Sequence, residues 1–130
     1  MQYADELIKK AGVAKENAYA PYSGFRVGAA VLTKEGVCYT GCNVENASYG
    51  LTCCAERVAL FTAIAAGERD FRAIAIISDV EEYITPCGAC RQTLIEFNPD
   101  MEVIMANNKG EYQTSKASDL LPAAFRFRSC

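Results

Sequence analysis

The chain has 130 residues, of which 51% are hydrophobic and 22% charged, and its formal net charge is −3 at pH 7. That length accommodates a single domain, residues 1–130, with no second core. An acidic chain whose basic residues are scattered is unsuited to hold a phosphate backbone, so we expect no nucleic-acid partner. No apolar run approaches the roughly 20 residues that span a bilayer. Residues 1–10 also lack a signal-peptide pattern, so we expect a cytoplasmic protein without membrane contact.

The cysteine and histidine content limits the available chemistry, because the chain has seven cysteines and no histidine. An odd number of cysteines in a cytoplasmic protein disfavours a disulfide framework. Any transition-metal site must therefore use thiolates and carboxylates. Any general acid or base must be Glu, Asp, Lys, Tyr or Cys.

Helices and strands alternate along the predicted chain. In order, the predicted elements are a helix at 4–18, strands at 25–32 and 37–44, a helix at 54–66, a strand at 73–77, a helix at 87–97, strands at 103–106 and 112–114, and a last helical turn at 118–124. The first two strands form an antiparallel hairpin around a turn at 34–36. The helix at 54–66 is apolar nearly all round and is predicted to be buried.

The second half of the chain predicts a parallel strand pair. Residues 73–77 form a continuous apolar run, which is typical of a central strand covered on both faces. The following helix ends at Asn98 and Pro99, and the strand at 103–106 completes a βαβ unit. The element order predicts an α/β protein with three α/β/α layers and a five-stranded mixed sheet.

Three cysteines stand at the starts of predicted helices. Cys87 and Cys90 form a Cys-x-x-Cys pair, which by itself fits either a thioredoxin-like redox pair or half of a metal site. Cys54, at the start of the preceding helix, would supply a third sulfur. Glu56, two positions later, would aim a carboxylate at an open fourth position. Three protein ligands plus water is the catalytic pattern of zinc.

The same residues match the pattern of zinc deaminases, in which a ligand-x-Glu motif is followed by Pro-Cys-x-x-Cys. The sequence resembles the small, homotetrameric, zinc-dependent cytidine deaminases of the cytidine/deoxycytidylate deaminase family over nearly its whole length. The matching stretches are APYSGFRVGAA at 20–30, GCNVENASY at 41–49, CAER at 54–57, PCGACRQ at 86–92 and LLPAAF at 120–125. Five motifs in this order make a chance match very improbable.

The resemblance implies one zinc per chain, bound by Cys54, Cys87 and Cys90. It implies that Glu56 takes a proton from the water at the metal, delivers it to the ring nitrogen N3, and then protonates the departing ammonia. Arg57 is implied to hydrogen-bond the ligand thiolates. A cation there would offset the negative charge of a three-thiolate zinc site, which opposes ionisation of the water.

The resemblance also assigns the substrate contacts. Asn43 and Glu45 are expected to hydrogen-bond the ribose 3′-hydroxyl, and strand alternation places both on one face. Phe25 is expected to pack on the nucleoside ring, and the backbone near Ala55 to bind the base carbonyl. The implied substrate is therefore a small-molecule nucleoside.

A homotetramer with shared active sites is the last implication of the resemblance. Phe125 is expected to reach into a neighbouring subunit's site, and Tyr49 is a second candidate to cross the interface. The apolar stretch at 59–66 also suggests burial beyond what one small domain supplies.

The expected function is hydrolytic deamination of free cytidine and 2′-deoxycytidine to uridine and 2′-deoxyuridine, in pyrimidine salvage. One alternative is a deaminase of a related cytosine nucleoside. A deaminase of RNA or DNA cytosine would need a basic groove, which this acidic chain lacks. A structural zinc module would leave Glu56 and the missing fourth ligand unexplained.

The remaining cysteines need no role in this interpretation. Cys38, Cys42 and Cys53 are expected to be small buried hydrophobes, and the terminal Cys130 a free thiol. A structural four-thiolate cluster would have to join Cys38 and Cys42 to the Cys-x-x-Cys pair. On one strand those two residues would lie about 13 Å apart, which is too far for two sulfurs on one ion.

Overall fold

The structure is a computed structural model that describes residues 3–127. Its elements are helices α1 (Ala4–Lys15), α2 (Ala55–Ala65), α3 (Gly88–Phe97) and α4 (Ala117–Leu120), strands β1 (Val27–Thr33), β2 (Cys38–Cys42), β3 (Phe71–Ser78), β4 (Glu102–Ala106) and β5 (Tyr112–Lys116), and a 3₁₀ turn at Tyr49–Leu51. Within the described range, no helix has the length and apolar character needed to cross a membrane.

All five strands belong to one mixed sheet with the order β2-β1-β3-β4-β5. Strands β3 and β4 are parallel, and α3 connects them, as the βαβ prediction requires. The other neighbouring strands are antiparallel, including the predicted hairpin of β1 and β2. The predicted five-stranded mixed sheet is confirmed.

The sheet has helices on both faces, because side chains of the central strand alternate between two cores. Ile74 and Ile76 pack in one core with residues of α2, α3 and α4. Ala73, Ala75 and Ile77 pack in the other core with α1. The three-layer α/β/α architecture is therefore confirmed, and among the described helices α1 is the one on its side of the sheet.

Several predicted element boundaries differ from the structure by two or more residues, including those of α1, β1 and the last helix. Helix α1 stops at Lys15 instead of residue 18, because the chain turns there and the backbone of Tyr19 pairs with the segment after β2. Strand β1 begins at Val27 rather than residue 25. The last helix ends at Leu120 instead of 124, since the residue before Pro122 avoids helical geometry and Ala123 has a φ of 55°.

The helix predicted at 54–66 is α2, and the burial predicted for it is found in part within the single chain. Only one face of α2 is buried, formed by Ala55, Glu56, Ala59, Leu60 and Ala63. The helix lies on one side of the sheet, so only residues three or four apart contact the sheet. The opposite face is open in the single chain. Its apolar character is left unexplained by packing within one subunit.

A glycine in β2 allows α2 to lie close to the sheet. A Cβ atom at Gly41 would lie 2.4 Å from the backbone nitrogen of Ala59 and 2.9 Å from the carbonyl oxygen of Ala55. Any larger residue would push the helix away from the strand. Because α2 begins at Ala55, this close approach also sets the position of the residues at its N-terminus.

Candidate metal and active site

The three predicted thiol ligands come together at the N-termini of two helices. Cys54 is the N-cap residue of α2, Cys87 is the N-cap residue of α3, and Cys90 lies in the first turn of α3. Their sulfur atoms all lie within 4.8 Å of one another, and the Cys54 and Cys87 sulfurs are 3.6 Å apart. This is the one group of potential metal ligands found within residues 3–127.

The sulfur spacing fits a tetrahedral zinc ion. Zinc–thiolate bonds of about 2.3 Å at tetrahedral angles place two sulfurs about 3.8 Å apart. The observed 3.6 Å between the Cys54 and Cys87 sulfurs is close to that value. With three thiolates, the donor set leaves one coordination position open. The alternative four-thiolate cluster does not form, because Cys38 and Cys42 lie on β2 outside this group.

The two helix N-termini favour negative charge at the thiol group. Cys54 and Cys87 both have extended backbone geometry, with ψ of 153° and 169°, and neither side chain caps its helix. The first N–H groups of α2 and α3 therefore contribute positive partial charge on the side where the thiols lie. This environment favours thiolates, which are the metal-binding form of cysteine.

Arg57 lies beside the thiol group, as predicted. Its terminal nitrogen NH2 lies 3.6 Å from the Cys54 sulfur, and its Nε atom is buried without a hydrogen-bond partner among residues 3–127. A hydrogen bond from Cys90, followed by the one from Arg57, lowers the pKa of the Cys54 thiol to about 5. The pKa of Cys90 is raised because that thiol bonds to Cys54 and is buried. Arg57 thus favours the charged form of the Cys54 sulfur.

Replacing Arg57 by Ala is expected to keep the fold, lower activity about tenfold or more, and shift zinc retention to higher pH. Because Arg57 lowers the pKa of Cys54, its removal raises that pKa. Protons then compete with the metal at a higher pH, so zinc is lost earlier as the solution is acidified. Zinc content measured against pH tests this, with Arg57→Lys as the variant that retains the charge. Unchanged zinc retention in Arg57→Ala would show that the helix N-termini suffice.

Glu56 is the second residue of α2 and is only 5% exposed. Burial raises the pKa of its carboxyl group to about 7. Without a cation, desolvation therefore outweighs the effects that favour the charged form. A carboxyl group with a pKa near neutrality is suited both to accept and to release a proton.

A cavity of about 200 Å³ lies next to Glu56 and the thiols. Its walls include six of the predicted site residues: Phe25, Asn43, Cys54, Ala55, Glu56 and Cys87. Sequence reasoning missed four further wall residues: Val27, Thr52, Ile84 and Thr85. The one signal in the sequence that could have found them is their position, since each lies within three residues of a predicted site residue.

Asn43 joins the cavity wall to the start of β1. Its Oδ1 accepts a hydrogen bond of 2.9 Å from the Val27 backbone, and its Nδ2 donates one of 2.8 Å to the Phe25 carbonyl. The side chain is buried, and each of its polar atoms retains capacity for one more bond. Asn43 thereby also fixes the backbone next to Phe25.

Glu45 lies in an adjoining cavity of about 370 Å³, which also contacts Tyr49. Strand β2 ends at Cys42, but Val44 still pairs with Tyr19 and Cys53. The common face of Asn43 and Glu45 therefore stays a prediction, and the two side chains line different cavities. Hydrogen bonds from the hydroxyl and backbone of Ser23, with that from the Tyr22 backbone, lower the pKa of Glu45. Thr52 lines both cavities, which therefore adjoin each other.

The two predicted interface residues are exposed in the single chain. Phe125 is 73% exposed and Tyr49 is 75% exposed, and neither lines the cavity at Glu56. The structure therefore places both side chains where another molecule would reach them.

The three spare cysteines of the described range are half-buried, so the prediction of full burial was wrong. Cys38 and Cys42 lie on β2, which is an edge strand of the sheet formed by the described residues. Burial nevertheless raises the pKa of both thiols, which keeps them neutral. Cys130 lies outside the described residues.

Comparisons with known proteins agree with these observations. A family profile described as "Cytidine and deoxycytidylate deaminase zinc-binding region" matches residues 1–107. A cytidine deaminase from Halalkalibacterium halodurans is 53% identical over 120 residues, which cover 92% of this chain and 91% of that protein. A cytidine deaminase from Sporosarcina psychrophila is 48% identical, over 93% of this chain and 90% of its own length. The crystal structure of cytidine deaminase from Burkholderia pseudomallei has a TM-score of 0.90 and 54% identity, and covers 92% of this chain and 97% of that chain.

Proposed function

Because this chain belongs to the cytidine and deoxycytidylate deaminase family, we propose that it is the enzyme that hydrolyses free cytidine and 2′-deoxycytidine to uridine, or 2′-deoxyuridine, and ammonia. The observation that carries the proposal is a buried Glu56 in the same cavity as two of three clustered thiols. We place the reaction in cytoplasmic pyrimidine salvage.

Cys54, Cys87 and Cys90 would hold one zinc ion per chain, since their sulfur spacing fits its tetrahedral geometry. When bound, zinc supplies Lewis-acid activation of a water molecule by lowering the pKa of that water toward about 7. Arg57 and the N-termini of α2 and α3 offset the excess negative charge of three thiolates. Without that offset, the water would retain its proton more strongly.

Glu56 carries the proton through the reaction. The carboxylate takes a proton from the attacking water as the oxygen bonds to C4 of the cytosine ring. It delivers this proton to the ring nitrogen N3. It then takes the second proton of the attacking water from the hydroxyl group now on C4 and gives it to the amino group, as the bond between C4 and nitrogen breaks and the C4 carbonyl forms. Water is consumed and ammonia is released, so the atoms balance. Burial of Glu56, which raises the pKa of the carboxyl group, supports this shuttle because the proton is then easily gained and lost.

The two adjoining cavities support a nucleoside as the substrate. The cavity of about 200 Å³ beside Glu56 would take the base, with Phe25 packing on the ring and the backbone near Ala55 binding the base carbonyl. Asn43, which faces this cavity, and Glu45, in the adjoining one, would bind the ribose 3′-hydroxyl from two sides.

The alternatives have less support. A structural zinc module would need a fourth ligand, and within residues 3–127 the metal-binding group contains three. A nucleic-acid deaminase would need a basic groove, whereas Glu45 places a carboxylate where the sugar would lie. A deaminase of a related cytosine nucleoside would use the same site and is distinguished only by substrate tests.

The substrate test compares cytidine, deoxycytidine, free cytosine and a cytosine within single-stranded DNA. We expect both nucleosides to be deaminated, which is measured as a decrease in the absorbance of the cytosine ring. Free cytosine should react very slowly. A missing sugar removes the hydrogen bonds from the ribose to Asn43 and Glu45, which are worth about 0.5–1.5 kcal/mol for a neutral partner and about 1.5–3 kcal/mol for a charged one. Oligonucleotides should be inert, because an esterified 3′-oxygen has no proton to donate to Glu45. Efficient deamination of single-stranded DNA would refute the free-nucleoside proposal.

We also propose a homotetramer in which Phe125 completes a neighbouring site. Support comes from the exposed Phe125 and from the outer face of α2, where Phe61 is 47% exposed. Sizing of the wild-type protein is expected to give about four chains. Phe125→Ala, which lacks the donated ring, and Glu56→Gln, which lacks the proton shuttle, are then refolded together. Mixed tetramers should be more active than either parent, because some sites combine an intact Glu56 with an intact Phe125.

An active monomer would contradict the shared site. So would verified mixed tetramers without any recovery of activity, provided that Phe125→Ala alone is impaired. Either result would return Phe125 to the role of an anchor for the C-terminal turn, where its carbonyl accepts a hydrogen bond of 2.8 Å from Gln92.

A further inference from the structure

Cys87 is the most exposed of the three candidate zinc ligands. Cys90 is fully buried and Cys54 is half-buried, whereas Cys87 is exposed. It ends the connection between β3 and α3, residues 79–87, which has no regular secondary structure. Backbone hydrogen bonds to this connection come from the β4–β5 region at Val80 and Ile84, several residues before the ligand. The position of Cys87 therefore depends on contacts close to it.

Arg91 provides such a contact. Its Nε atom donates a hydrogen bond of 2.7 Å to the Pro86 carbonyl, immediately before Cys87. Its NH1 atom donates a second bond of 2.8 Å to the carbonyl of Leu120, the last residue of α4. Among the ion pairs found in residues 3–127, none involves Arg91. The guanidinium thus donates hydrogen bonds to two backbone carbonyls, in segments that lie far apart in the chain.

The C-terminal segment 120–125 is fixed to α3 at a second point. Gln92, the next residue of α3, donates a hydrogen bond of 2.8 Å from its Nε2 atom to the carbonyl of Phe125. Arg91 and Gln92 belong to the PCGACRQ motif at 86–92, and the catalytic interpretation gives neither of them a role. Together they connect the ligand loop, α3 and the C-terminal segment.

We propose that Arg91 is a positioning residue for the zinc ligand Cys87, an inference that rests on the proposed function only in taking zinc as the metal. The peptide unit between Pro86 and Cys87 is planar, so fixing the Pro86 carbonyl also fixes the backbone nitrogen of Cys87. Hydrogen bonds from a cation to a carbonyl are stronger than those between neutral groups. Arg91 therefore fixes the backbone at the exposed ligand Cys87 relative to the end of α4.

The test measures the rate at which a chromophoric chelator in excess removes zinc from the loaded, folded protein. Arg91→Ala is expected to release zinc about 10–100-fold faster than the wild type, because losing a group that orients a ligand typically lowers metal affinity by about that factor. Arg91→Lys is expected to fall between the two, because an ammonium group replaces the planar fork that bridges both carbonyls. If Arg91→Ala fails to fold, the rates of zinc release from Arg91→Lys and from the wild type are compared instead.

Arg69→Ala is the matched control. Arg69 also donates two hydrogen bonds to backbone carbonyls, those of Ile64 and Glu68, but at the end of α2 that lies away from Cys54. We expect its zinc release to equal that of the wild type. Gln92→Ala, which loses only the bond to the C-terminal segment, is expected to release zinc less than about threefold faster.

Two outcomes would overturn the proposal. In the first, Arg91→Ala lowers the unfolding temperature but releases zinc at the wild-type rate, so Arg91 is a purely structural residue. In the second, Arg69→Ala accelerates release as much as Arg91→Ala, so the effect is not specific to Cys87. Because release is measured without substrate, a wild type that binds zinc but leaves cytidine unchanged would refute the proposed function and not this inference.

Discussion

Replacing Glu56 by Gln is expected to lower kcat for cytidine by at least about 10²–10⁴-fold, while the protein stays folded and zinc-loaded. The amide has the shape of the carboxyl group but cannot accept and return a proton. Glu56 is not among the three clustered thiols, so its loss removes no ligand. The decrease in cytidine absorbance gives kcat, and elemental analysis gives the zinc content of the same sample.

Glu68→Gln is the matched control for this substitution. Glu68 accepts a hydrogen bond of 2.9 Å from the Tyr39 hydroxyl and does not line the cavity at Glu56. We expect it to retain wild-type turnover. If Glu56→Gln also retained near-normal turnover, the proton-transfer mechanism would be wrong.

The pH profile of the wild type carries related information. Glu56 must be ionised to accept the first proton, so turnover falls as the pH decreases through the pKa of this group. Burial raises that pKa to about 7 in the absence of a cation. A bound zinc ion favours the charged carboxylate and lowers the pKa. We therefore expect the acid limb of kcat for the zinc-loaded enzyme to lie below pH 7.

The second large effect, on both zinc content and activity, is expected from the loss of a single thiol ligand. Cys54→Ser, Cys87→Ser and Cys90→Ser are each expected to lose zinc and to lower activity more than about 100-fold. Changing a group that merely orients a ligand costs about 10–100-fold in metal affinity, and removing the ligand should cost more. Elemental analysis of the purified variants measures the zinc directly.

Cys53 and Cys42 provide the controls for the ligand assignment. Cys53 is the chain neighbour of Cys54 and is also a free, half-buried thiol, but its sulfur is not part of the cluster. Cys53→Ser and Cys42→Ser should therefore keep one zinc per chain. A protein that lost zinc with Cys53→Ser and kept it with Cys54→Ser would overturn the assignment.

The fold was predictable where the signal is local and repetitive. The apolar run at 73–77 lies within β3, which is buried on both faces, and the turn at 34–36 joins β1 to β2. Such patterns indicate which faces of an element are buried, and a stretch of a few residues is enough to show them. Element ends were less predictable, since they depend on partners such as the pairing of Tyr19 beyond the end of α1.

The sequence by itself determined the family through its five motifs and the class of fold through the order of its elements. It also determined the residue types of the site, because the motif spacing places thiols at helix starts. Only the tertiary structure decided how far these residues are buried and what they touch. Close packing of α2 on Gly41 sets its N-terminus, and the burial of Glu56 raises the pKa of that carboxyl group to about 7. The contact of Arg91 with Leu120 joins residues 29 positions apart in the chain. Burial and long-range contacts depend on the packing of the whole chain, so no local pattern encodes them.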